Sequence, residues 1–168
     1  MRKRTILISS LLLLLGCSSP ANVASQQQPQ TPITTEGETT QAWAQVTNVE
    51  ATESQPGQYS FAVTLKSPDT GCNQYADWWE VLSEEGDLLY RRILAHSHVS
   101  EQPFQRSGGP VAISTDQQVM VRAHMNAEGY GTQAMKGSIK SGFQETQLAP
   151  NFAANIESQP PQPNACTG

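Results

Sequence analysis

The sequence predicts a mainly β chain folded as an antiparallel two-sheet sandwich of six to seven strands. Three observations carry this. Tyr59, Phe61, Val63 and Leu65 alternate with Ser60, Ala62, Thr64 and Lys66, the period-two pattern of a half-buried strand. Val119, Val121, Ala123 and Met125 form a second apolar face, with Met120, Arg122 and His124 opposite. Turn-forming residues recur at intervals of roughly 8–15 residues, with no run of amphipathic helices between them, which is the layout of a sandwich rather than of a parallel α/β sheet.

The remaining elements follow in order. Trp43 to Thr52 is a first strand. After the turn at Gly71, Trp78 to Leu82 and Leu88 to Ala95 flank Ser83-Glu84-Glu85-Gly86-Asp87, whose glycine and acidic residues suit a hairpin loop. Gly108-Gly109-Pro110 predicts a break before a short strand at Val111 to Ile113. The two glycines also permit an anion-binding nest of backbone amides, although a plain turn is the simpler account. Asn126 to Gly131 is rich in turn residues, and Thr132 to Lys140 is the last strand. Pro150 can open a short helix with Phe152 and Ile156 on one face. Val121-Arg122-Ala123, followed by Asn126, Gly129 and Gly131, resembles the penultimate strand and loop of fibronectin type III domains. That resemblance implies an immunoglobulin-like sandwich.

The N-terminus carries an address. Arg2, Lys3 and Arg4 precede an apolar run from Ile6 to Leu15 that stops at Gly16-Cys17, the layout of an export signal. The run is too short to span a bilayer, which takes roughly 18–20 residues. Leu14-Leu15-Gly16-Cys17 resembles the lipobox of bacterial lipoproteins, with Leu15 where that pattern prefers a small or β-branched residue. The resemblance implies that Cys17 becomes the lipidated first residue and that residues 1–16 are a signal peptide. Ser18 after the cysteine resembles the outer-membrane sorting pattern of enteric bacteria. Asp69 to Glu80 and Leu89 to Met125 also look like uncharacterised bacterial lipoproteins.

Cleavage there would remove three of the ten basic residues. Seven would then face fifteen acidic ones, moving the net charge from −5 to −8. An acidic surface repels phosphate backbones, so nucleic acid is excluded as a partner. Residues 17–41 are Ser, Gln, Pro and Thr-rich with only Val23 and Ile33 as large aliphatics, a composition expected to form a flexible tether. Residues 42–157 are left for the sandwich, and residues 158–168 form a Pro-rich tail.

With Cys17 lipidated, Cys72 and Cys166 remain, in a compartment that permits disulfides. A bridge between them would pin the tail against the loop Ser67-Pro68-Asp69-Thr70-Gly71. A catalytic thiol at Cys72 would leave a second cysteine near the C-terminus without a role.

No nucleophile elbow, phosphate loop, dinucleotide glycine pattern or His-Glu-x-x-His motif is present. Asp77 and Glu80 beside Trp78 and Trp79 suggest a sugar platform with paired carboxylates, but strand alternation turns the two tryptophans to opposite faces and at least one into the core. The histidines are the sharper candidate for chemistry. His96 and His98 share a face of an extended segment, and His124 from another strand would complete a three-histidine site for zinc or copper, with Glu101 or Met125 as a further ligand. The order His96-x-His98, Glu101, Gly108 and a later His124 resembles the metal motifs of cupins. It departs from them at Tyr90, at Asn126 and in the short gap between His98 and Glu101. If Val119 to Met125 pairs with Trp78 to Leu82, His124 stands two strands from His96. The histidines would then serve a polar rim with Arg91, Arg92, Arg106 and Glu101.

The sequence therefore favours a non-enzymatic cell-envelope lipoprotein without a cofactor. The membrane would be a partner through the lipid on Cys17, and an envelope protein or polysaccharide the second partner. A zinc- or copper-binding protein using His96, His98 and His124 is the alternative. A polysaccharide hydrolase using Asp77, Glu80 or Glu101 as acid and base is the third possibility.

Overall fold

The computed structural model describes residues 42–167. The expected signal peptide (residues 1–16), the expected tether (residues 17–41) and its Cys17 lie outside the described residues. Among the described residues nine strands, where the sequence predicts six to seven, form two antiparallel sheets. The first holds β1 (Gln45–Gln55), β2 (Gln58–Lys66) and β5 (Phe104–Ala112) in the order β1-β2-β5. The second holds β3 (Ala76–Ser83), β4 (Leu88–Ile93), β6 (Val119–Met125), β8 (Gln133–Ser138) and β9 (Gly142–Gln147) in the order β4-β3-β6-β8-β9, with β7 (Gly129–Tyr130) against β6. The two sheets pack as a sandwich, as the alternation predicts.

The core lies where the two clearest patterns placed it. Phe61, Val63 and Leu65 of β2 meet Trp79 and Val81 of β3 and Val119, Val121, Ala123 and Met125 of β6. Burying one such side chain contributes about 1.5–3 kcal/mol, so this layer is the main source of cohesion.

Two elements differ from expectation. Gly108-Gly109-Pro110 does not break the chain. β5 runs straight through it, and the register jumps from Phe61↔Gly108 to Tyr59↔Val111. The extra residue is absorbed as a bulge, which β5 tolerates because it is an edge strand. Gly108 is required there by close approach: a Cβ would stand 2.7 Å from the Tyr90 hydroxyl oxygen. The last strand expected, Thr132 to Lys140, is β8, and it is followed by β9, whose six residues (Gly-Phe-Gln-Glu-Thr-Gln) bury little and give a weak apolar pattern.

The C-terminal segment is not loose. After β9 the chain crosses the outer face of the second sheet. The helix expected after Pro150 is reduced to a 3-10 turn at Ala154–Ile156. Ile156 packs with Leu82 and Met120, joined by Phe152, in a second apolar cluster outside the sandwich. Cys166 is bonded to Cys72, closing a separation of 94 residues, and the Thr167 amide donates to the Ala95 carbonyl. The segment is a strap fastened along its length. It leaves β3 and β6 buried on both faces.

Candidate functional site

The strap covers a layer of charged side chains. The ladders place Glu80 of β3 opposite Arg91 of β4 and opposite Arg122 of β6, so one carboxylate has an arginine on either side. Its Oε2 accepts from Arg91 Nε at 2.9 Å and its Oε1 from Arg122 Nε at 2.8 Å. Glu80 has no exposed surface, and both arginines are nearly as buried. Taking an ion out of water costs several kcal/mol unless its hydrogen-bonding capacity is met. Here the strap meets it. Arg91 donates to the carbonyls of Ile156, Glu157, Gln159 and Pro161, and Arg122 to those of Phe152 and Ala153. Arg122 also lies 3.5 Å over the Tyr130 ring. Burial, followed by the Glu80 charge, pushes the Tyr130 phenol well above its ordinary range.

Beside this triad, β3 carries a bulge. Ala76 pairs with Met125 and Trp78 with His124, leaving Asp77 as the extra residue. A bulge re-aims a side chain, and here Asp77 reaches His124, its Oδ1 lying 2.6 Å from Nδ1. Trp78 stacks on the same imidazole with ring centroids 3.6 Å apart and planes 7° from parallel. Nε2 of His124 stands 3.4 Å from Glu157 Oε1 of the strap, without hydrogen-bond geometry. The Asp77–His124 pair has the orientation of a general base held by a carboxylate. Among the described residues, no hydroxyl or thiol is hydrogen-bonded to Nε2 for it to activate.

The other two histidines lie together in the loop after β4. The His98 backbone is fixed on both sides: its amide donates to Asp69 Oδ2 at 2.7 Å, and its carbonyl accepts from the Glu101 amide and from Gln102 Nε2. Asp69 is a hub, its Oδ1 also accepting from Ser67 Oγ and the Ala76 amide. The His98 ring stacks on Phe104 with centroids 3.8 Å apart and lies beside His96 at 4.6 Å. It is 4 % exposed, and neither ring nitrogen has a hydrogen-bond partner. Burial, then the charges of Arg106 and His96, hold its pKa below the usual value.

The sequence-predicted residues thus separate. Cys72 and Cys166 are joined. His96 and His98 are neighbours, whereas His124 has its own partners, Asp77 and Trp78. Among the described residues no group of three or more His, Cys, Asp or Glu side chains is placed to hold a metal ion. Met125 points into the core, opposite in parity to His124. Glu101 is bound by Arg106 at 2.7 and 3.0 Å, and the Arg106 hydrogen bond holds its carboxyl below the usual range. Trp79 is in the core and Trp78 is buried on the outer face, so neither offers an open sugar platform. The strap's role escaped sequence reasoning. Its one signal was Arg122 facing away from the apolar side of β6, a charge in need of a partner.

No family model matches the chain, and no solved structure matches it. A protein of Halomicrobium mukohataei bearing the name "Putative lipoprotein" is 45% identical over 82 residues, which is 49% of this chain and 40% of that protein. The chain thus spans well under two thirds of the length of the curated relative it matches.

Proposed function

We propose that this chain is a lipoprotein of the cell envelope, anchored through a lipid on Cys17 and carrying its β-sandwich as a non-enzymatic binding or structural module. The lipobox-like end of the apolar run supports the anchor, as does similarity to a protein named as a lipoprotein. The Cys72–Cys166 bridge fits an oxidising compartment. In this reading residues 1–16 are the signal peptide and residues 17–41 a tether that lets residues 42–157 reach an envelope protein or polysaccharide while staying at the outer membrane.

One observation carries the non-enzymatic part. Glu80, one of the acids the sequence offers for acid-base work, has both oxygens bound to arginines whose other donors hold the strap, and the Asp77–His124 pair has no hydroxyl or thiol on Nε2 among the described residues. A general acid or base needs an oxygen free to exchange a proton with substrate, and Glu80 has none. Metabolic labelling with a palmitate analogue tests the anchor. Label should enter the wild-type chain and be lost in Cys17→Ala; label retained in Cys17→Ala contradicts the proposal.

A further inference from the structure

His124 stands between two acidic side chains, Asp77 of β3 and Glu157 of the strap. Asp77 Oδ1 lies 2.6 Å from Nδ1, and Glu157 Oε1 lies 3.4 Å from Nε2. We infer that the contact between Nε2 and Glu157 is a proton-operated latch on the strap, closed when His124 carries a proton on each ring nitrogen and released when Nε2 gives its proton up. The inference does not depend on how the chain is anchored or on what it binds.

The proton count around the ring carries the inference. A neutral imidazole has one N–H and one lone pair. The shorter contact, to the Asp77 carboxylate, fixes the N–H at Nδ1. In the neutral ring Nε2 therefore turns its lone pair toward a second carboxylate, and two acceptors face each other. Nε2 is buried and has no hydrogen-bond partner to relieve this. A second ring proton turns the same contact into an ion pair, and its loss turns attraction back into repulsion. The ring is fixed, because Trp78 stacks on it and Tyr130 meets it edge to face at 4.6 Å. The Glu157 side chain is 53 % exposed and free to swing into water, so the strap is the part that responds.

The other charges near the ring leave this proton as the variable. On the same outer face Glu80 is bound between Arg91 of β4 and Arg122 of β6. Burial keeps the Tyr130 phenol un-ionised, and Glu128, on the turn before β7, is exposed to solvent. Arg91 and Arg122 oppose the second proton, while Asp77 and Glu157 favour it. Glu157 and Ala154 line both recesses that flank the strap turn, one also lined by Tyr130 and the other by Trp78. Glu157 is thus the movable part of the wall between them.

The test combines nitrogen NMR of the histidine rings with hydrogen exchange of the strap amides, on the full chain purified in detergent, across about pH 5 to 9, the span in which histidine changes charge. The amides of Glu157 and Gln159, which donate to the carbonyls of Ala154 and Ile156, report on the strap beside the latch. As His124 loses a proton, Nε2 should be the nitrogen that gives it up while Nδ1 keeps its own. Over the same step the protection factors of the two amides should fall about twofold to fivefold, the range of a part-exposed ion pair. Glu157→Gln changes a half-exposed side chain and should leave the fold intact. It should abolish the step, because an amide donates to the neutral nitrogen and accepts from the charged one. A ring that stays in one protonation state throughout, a proton lost from Nδ1 instead, strap protection unchanged across the His124 titration, or a step that survives Glu157→Gln would overturn the proposal.

Discussion

Arg122 and Glu80 face each other across β6 and β3 in the same register, joined Nε to Oε1 at 2.8 Å and almost wholly withdrawn from water. That pairing, repeated on the other side by Arg91, turns three charges into a frame of donors aimed away from the sheet. The carbonyls of the strap complete the frame. A Pro-rich C-terminal tail is thereby ordered by residues on strands far from it in sequence, and the sheet's outer face acquires a cover.

The disulfide contributes at the far end of the strap. For a closed loop of this length the chain-entropy model gives about 4–5 kcal/mol, with measured values commonly 2–4. Cys72→Ser/Cys166→Ser should lower unfolding stability by about that smaller range, read by denaturant titration, with the sandwich still folded because the core and the arginine frame remain. Non-reducing intact mass of the wild-type chain should be two hydrogens below the reduced form.

The core claim is equally specific. Phe61 has no exposed surface and meets Phe143 edge to face at 5.9 Å. Phe61→Ala should cost about 3–5 kcal/mol, whereas Phe61→Leu should cost far less because most of the volume is kept.

His98 gives a pH dependence with a defined sign. Its folded pKa is depressed below the usual 6.5, so the unfolded chain binds the extra proton first as pH falls. The contribution of the neutral buried ring is present in full above about 6.5 and is lost as pH drops toward the folded value. Denaturant midpoints should therefore fall between pH 7 and pH 5, and His98→Gln should flatten that slope. Glu101, whose pKa is lowered, acts only at more acidic pH and does not confuse the window.

Local patterns made part of this fold legible. Alternation in β2 and β6 reported a half-buried pleated surface, and the same alternation put Arg122 and His124 on one face and Val121 and Ala123 on the other, as found. The expectation that β6 pairs with β3 and so separates His124 from His96 also holds. The bulge at Gly108-Gly109-Pro110 was not legible, because glycine and proline signal a break in any strand that cannot absorb an extra residue, and edge position is a property of the sheet. Nor was the strap: its composition predicts looseness, and its order comes from guanidinium groups some 30–70 positions away in the chain. Asp69 looked like a turn residue, since nothing nearby in sequence shows that its carboxylate fixes the His98 loop.

The account turns on the claim that the buried Arg91–Glu80–Arg122 layer exists to hold the strap. Hydrogen exchange on Glu80→Gln, read across residues 152–161 and across β2, tests it most directly. Removing the carboxylate leaves two buried guanidinium groups uncompensated, a loss of about 3–5 kcal/mol. The account predicts that the strap amides lose protection first and most, while β2 amides open only with global unfolding. Strap protection unchanged from wild type, or lost no sooner than that of β2, would contradict it.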